Sequence, residues 1–110
     1  MKILQWSMTI SKEKQANFTK WFTEVAGPIL GGFGAKKHEL YKVESEQVVG
    51  RQLVENNQFV EKLYFNDEFN IAGYFEAVKQ NPKAWKVSRE YEEKFDVTNI
   101  ELRVLNSVYD

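Results

Sequence analysis

The chain has 110 residues, with 15 basic and 16 acidic side chains for a formal net charge of −1, and no cysteine. A chain of this length is expected to form one domain, residues 1–110, burying roughly 65% of the surface its unfolded form exposes. The near-neutral charge gives no pull toward nucleic acid or an anionic membrane, disulfide and thiolate chemistry are excluded, and nothing approaches the ~20 apolar residues of a membrane span or an export signal, so the expected compartment is the cytoplasm.

The first element is "KILQWSMTI". Leu4, Trp6, Met8 and Ile10 share one face, and Ile3, Gln5, Ser7 and Thr9 the other, which is the period-two pattern of a strand. Its second face is polar but uncharged, which suits a surface covered by something other than water. Ser11 can cap the next segment, where Phe18, Trp21, Phe22 and Val25 form one helical stripe. Gly27 and Pro28 are stop signals, with room for one further turn to Leu30 before Gly31 and Gly32.

"FGAKKHELYKV" alternates again and carries lysines, which predicts a partly exposed strand near a sheet edge. The segment from Glu44 to Asn57 has apolar residues without a clean period and is compatible with a short helix, an extra strand or an ordered excursion. "QFVEKLYFN" reads as the third strand, ending at the turn and cap residues Asn66 and Asp67. A helix from about Glu68 to Gln80, with Ile71, Phe75 and Val78 at helical spacing, precedes a second piece that Asn81 and Pro82 open and that reaches about Phe95. There Lys86 with Glu90, Arg89 with Glu93, and Glu90 with Lys94 are four apart, the mark of a solvated face. "TNIELRVLNSVY" closes the chain as a fourth strand, with Ile100, Leu102 and Val104 opposed to Glu101, Arg103 and Leu105.

The order is βαββαβ. It predicts an α+β, ferredoxin-like fold: a four-stranded antiparallel sheet with the helices on one face, because right-handed crossovers put them there. The strands offer apolar groups with both parities, so the helix-free face would also present apolar surface. A second copy of the sheet is the simplest cover, which predicts a homodimer through the sheet faces.

"KILQWSMTI", the aromatic helix, "GGFGAKKHELYKVES", "FVEKLYFND", the broken helix "FNIAGYFEAVKQNPKAWKVSREYEEKF" and the closing strand together resemble the dimeric α/β-barrel superfamily, which includes antibiotic-biosynthesis monooxygenase-like and NIPSNAP-like proteins. The resemblance spans nearly the whole chain and implies a homodimer with a small, mostly apolar cavity between sheet and helices. Some members oxidise or cyclise aromatic polyketides without a cofactor, and others degrade or bind haem. Relatives with redox or haem chemistry often place a histidine on the second helix. This chain has none there, so no cofactor is expected.

Candidate site residues are few. His38 is the single histidine. It is either an exposed strand residue, as Lys36 and Lys42 of the same parity suggest, or a proton-transfer group, since its ordinary titration lies near neutrality. Arg51 could clamp a carboxylate or phosphate, or anchor its loop. Trp6, Tyr64, Trp85 and Tyr91 are candidate walls of a ligand cavity, with core packing as the plainer reading; aromatics make up 15% of the chain, enough to serve both ends.

"GGFG" lacks the Gly-Lys-Ser/Thr ending of a phosphate loop and leads into a strand. "GFGA" is similar to part of an RNA-recognition signature but precedes the wrong strand. One histidine, no cysteine and no spaced carboxylate set argue against a metal. The sequence therefore points to a cytoplasmic homodimer that binds a small apolar or aromatic molecule; the alternative is a cofactor-independent monooxygenase, cyclase or isomerase.

Overall fold

A computed structural model describes residues 1–44 and 57–109. Strand β1 (Lys2–Thr9) leads through a 3₁₀ turn (Lys12–Lys14) into α1 (Gln15–Trp21), which continues through a π-helical turn (Phe22–Ala26) into the short α2 (Gly27–Leu30). β2 (Lys37–Lys42), β3 (Gln58–Phe65), α3 (Ile71–Gln80), α4 (Pro82–Glu93) and β4 (Thr98–Asn106) follow. The strands form one antiparallel sheet in the order β2-β3-β1-β4, with β2 at an edge as its lysines predict. Order and direction are those of the ferredoxin-like α+β fold.

One face of that sheet packs on the helices. Leu4 and Met8 of β1, Ile10, and Phe59, Leu63 and Phe65 of β3 are buried against Phe18, Trp21, Phe22, Tyr74, Val87 and Tyr91. The predicted stripe of the first helix is thus confirmed, with Val25 half-buried at its margin. Phe18 is its centre: rings of Trp21, Phe59, Tyr91 and Phe95 lie 5.5–6.0 Å away, three of them nearly edge-on, the offset geometry that aromatic quadrupoles favour.

The first helix departs from expectation at both ends. Ser11 makes no side-chain capping bond, because a 3₁₀ turn intervenes and its carbonyl, accepting from Lys14, closes that turn instead. Gly27 and Pro28 do not stop the helix. A proline ring would clash with the carbonyl four residues back; the π turn, in which the Gly27 N–H reaches Phe22 O, widens the coil just before Pro28 and lets it continue to Leu30. Gly27 suits this widened turn, since a Cβ there would stand 3.0 Å from Phe22 O.

The broken second helix is as predicted at Asn81–Pro82, where the Asn81 side chain accepts from Ala84 N at 3.0 Å. Its start is later than expected. Asn70, not Asn66 or Asp67, is the cap, accepting from Gly73 N at 3.1 Å. Within α3 the buried positions are Tyr74 and Val78, while Phe75 is half-exposed.

The helix-free face is less apolar than expected. Cross-strand rows run Lys37, Tyr64, Ile3, Leu105; then Glu39, Lys62, Gln5, Arg103; then Tyr41, Val60, Ser7, Glu101. A charged row thus lies between two mixed ones. The apolar parity of β4 belongs to the other side: register places Leu102 beside Trp6 and Val104 beside Leu4, on the helix face but beyond the helices' cover. Ile100, Leu102 and Val104 consequently remain 41–49% exposed. Among the described residues, no helix is long and apolar enough to cross a membrane.

Candidate functional site

Between the sheet and the α3–α4 pair lies a cavity of about 360 Å³. Its floor is Trp6 and Met8 of β1 with Glu61 of β3. Its walls are Leu30, Tyr74, Phe75, Val78, Trp85 and Tyr91, and Ile100 of β4 closes one side. The two helices meet at the Asn81–Pro82 break, and residues of both line the space. Ser88, Lys79 and Glu92 also line it.

Glu61 is the unexpected member. It is 3% exposed, the one charged side chain buried among the described residues. β3 alternates, and Glu61 falls in the inward parity with Phe59, Leu63 and Phe65. Burying a carboxylate is costly unless both oxygens are served. Here they are: the Tyr91 hydroxyl donates to Oε1 at 2.9 Å, and Nε2 of His38 lies 2.7 Å from Oε2.

His38 is not an exposed strand residue. Its side chain is 11% exposed, and its ring packs edge-on against Phe22 at 4.9 Å. Lys36 precedes the strand and Lys42 ends it, whereas the stretch between them passes beneath the first helix. The other ring nitrogen, Nδ1, lies 3.1 Å from Gly27 O, the carbonyl that follows the π turn. His38 does not line the 360 Å³ cavity but stands behind Glu61, and it borders a separate, shallower basin of about 600 Å³ with Thr23, Pro28, Lys36 and Lys37.

Burial, and then the Glu61 charge, push the Tyr91 hydroxyl well above the ordinary tyrosine range, so it stays a proton donor. Tyr74 is pushed up in the same way, by burial first and Glu61 second. Its hydroxyl donates to Leu30 O at 2.8 Å and so satisfies a carbonyl at the end of the first helix.

Of the residues singled out in the sequence, Trp6, Trp85 and Tyr91 meet at this cavity. Tyr64 is on the helix-free face, where Glu39 and burial raise its hydroxyl to about 12. Arg51 lies outside the described residues, as does the segment between Glu44 and Asn57. Sequence reasoning missed Glu61 and Tyr74. The signal for Glu61 was a lone carboxylate in the apolar parity of "FVEKLYF"; its partners come from β2 and α4, far away in sequence.

No protein-family sequence model matches the chain, and no curated protein is similar to it in sequence. Solved structures are similar in shape. A candidate antibiotic biosynthesis monooxygenase from Deinococcus radiodurans has a TM-score of 0.68 at 13% identity, covering 100% of this chain and 95% of that one. An uncharacterised NIPSNAP domain protein from Burkholderia xenovorans has a TM-score of 0.66 at 15% identity, with 98% and 95% covered. A second candidate monooxygenase, from Nitrosomonas europaea, has a TM-score of 0.65 at 9% identity over 99% and 100%. At such identities the likeness concerns the fold.

Proposed function

We propose that this protein binds a small aromatic or apolar molecule in the cavity between the sheet and α3–α4, as a cytoplasmic homodimer joined through the helix-free sheet faces. The observation that carries the reading is the cavity itself: about 360 Å³, walled by the rings of Trp6, Tyr74, Phe75, Trp85 and Tyr91. Such a space suits a ring system with few polar groups. The fold likeness to candidate monooxygenases and NIPSNAP proteins supports it in kind. Ile3, Val60, Tyr64 and Leu105, interleaved with polar neighbours on the helix-free face, support the dimer.

The test is titration with 2-tetralone, a bicyclic aromatic ketone, followed by quenching of tryptophan fluorescence. Saturable quenching is expected, and Ser88→Phe, which puts a ring into the cavity, should weaken it at least tenfold. Non-saturable quenching, or equal affinity in the variant, would remove the cavity as the site. Light scattering tests the dimer: twice the chain mass is expected, and a monodisperse monomer at micromolar concentration contradicts it.

One observation favours a second reading, a cofactor-independent monooxygenase, cyclase or isomerase. A pure binding pocket has no need of a buried carboxylate in its floor, whereas a proton-transfer enzyme does.

A further inference from the structure

Between His38 Nε2 and Glu61 Oε2, 2.7 Å apart, there is room for one proton. The other ring nitrogen, Nδ1, faces Gly27 O, which can accept but not donate, so Nδ1 carries a hydrogen. A neutral ring protonated at Nε2 alone would set a lone pair against that carbonyl. Two arrangements remain: imidazolium beside carboxylate, or Nδ1–H imidazole beside carboxylic acid. They differ by one proton moving along one hydrogen bond.

Glu61 and Tyr91 of this network line the cavity, and His38 does not. Each carboxylate oxygen keeps a lone pair beyond its bond to His38 or Tyr91. The phenol hydrogens around it are committed, Tyr91 to Glu61 and Tyr74 to Leu30 O. A ligand in contact with Glu61 must therefore offer a hydrogen, and an anionic one would meet a like charge. Lys79 is the cationic side chain among the described residues that line the cavity.

We propose that Glu61 is a catalytic acid–base for an aromatic ketone with an acidic C–H beside its carbonyl, and that His38 and Tyr91 are its positioning residues. This rests on the cavity reading above and assigns it a reaction. Glu61 takes the proton from carbon, and the C–H electron pair stays on the substrate as an enolate. The His38 proton remains in place, so the pair becomes imidazolium beside carboxylic acid, its one positive charge standing behind Glu61 and balancing the enolate. Return of the proton, to the same carbon, to another carbon of the enolate system or to oxygen, restores the carboxylate. The net change is isomerisation or hydrogen exchange, with no oxidant or reductant.

Hydrogen exchange of 2-tetralone in D2O, followed by proton NMR, tests this. The wild-type protein should speed deuterium uptake beside the carbonyl well beyond buffer. Glu61→Gln should lower the rate on the order of 100-fold or more while 2-tetralone still quenches tryptophan fluorescence. His38→Gln should lower kcat and leave KM within about threefold, whereas a merely structural role would move both. Binding without faster exchange in the wild type, or equal exchange in Glu61→Gln, overturns the proposal and leaves the cavity reading standing. Failure of the ketone to bind overturns both. Should Glu61→Gln not fold, Glu61→Asp withdraws the carboxylate by one carbon, and an unchanged rate there overturns the assignment.

Discussion

Glu61 and Glu39 stand on neighbouring strands of one sheet and point to opposite sides of it. Both stand near tyrosines and a cationic or imidazole group, yet their settings differ. Glu61 is sealed under the helices, its side chain 4% exposed, with one hydrogen bond to each oxygen. Glu39, on the helix-free face, is 17% exposed and lies 3.0 Å from Lys37 Nζ. The phenols of Tyr41 and Tyr64, then Lys37, hold its carboxyl down to about 2. The same side chain is thus held ionised by its neighbours on one face and joined to an imidazole by a 2.7 Å hydrogen bond on the other. The helix-covered face supplies what that second role needs: exclusion of water, so that few groups decide where the proton sits.

The contrast can be broken most severely at His38. His38→Ala leaves one oxygen of a buried carboxylate without a partner and should cost ~3–5 kcal/mol of stability in urea unfolding. The double change His38→Leu with Glu61→Leu removes the charge as well and should recover much of that loss. A single change as mild as an ordinary surface substitution would deny that the pair is buried. Tyr91→Phe takes away one hydrogen bond to the carboxylate and should cost about 1.5–3 kcal/mol by the same assay.

Glu39 sharpens the comparison through acid. Its carboxyl is depressed in the folded protein, so it binds fewer protons there than in the unfolded chain. Its stabilisation is present above the ordinary glutamate range and is lost as pH falls through about 2. The gap in urea midpoint between wild type and Glu39→Gln should therefore be widest above about pH 5 and should close toward the depressed value. A gap independent of pH would contradict the arrangement with Tyr41, Tyr64 and Lys37.

Much of the fold was legible because its signals are local. The alternation of Leu4, Trp6 and Met8, the spacing of Phe18, Trp21 and Phe22, and the Asn81–Pro82 break each report on neighbours a few residues away. The site was legible in pieces. Trp6, Trp85 and Tyr91 were visible as large rings without a necessary place. Parity told against Tyr64, whose neighbours Val60 and Lys62 share the helix-free face. Glu61 was hidden because its meaning depends on the β2–β3 register, which sets His38 beside Leu63 and diagonal to Glu61, and on a tyrosine 30 residues away. The π turn was hidden too, since glycine followed by proline ends most helices, and only the packed structure shows the chain widening its coil instead.

The proton shared by His38 and Glu61 is open to one direct measurement. The chain has a single histidine, so nitrogen NMR of uniformly labelled protein reads its ring without assignment ambiguity. A protonated Nδ1 is expected, with Nε2 reporting a proton shared with Glu61. A neutral ring protonated at Nε2 and bare at Nδ1 would contradict the geometry on which the acid–base role depends.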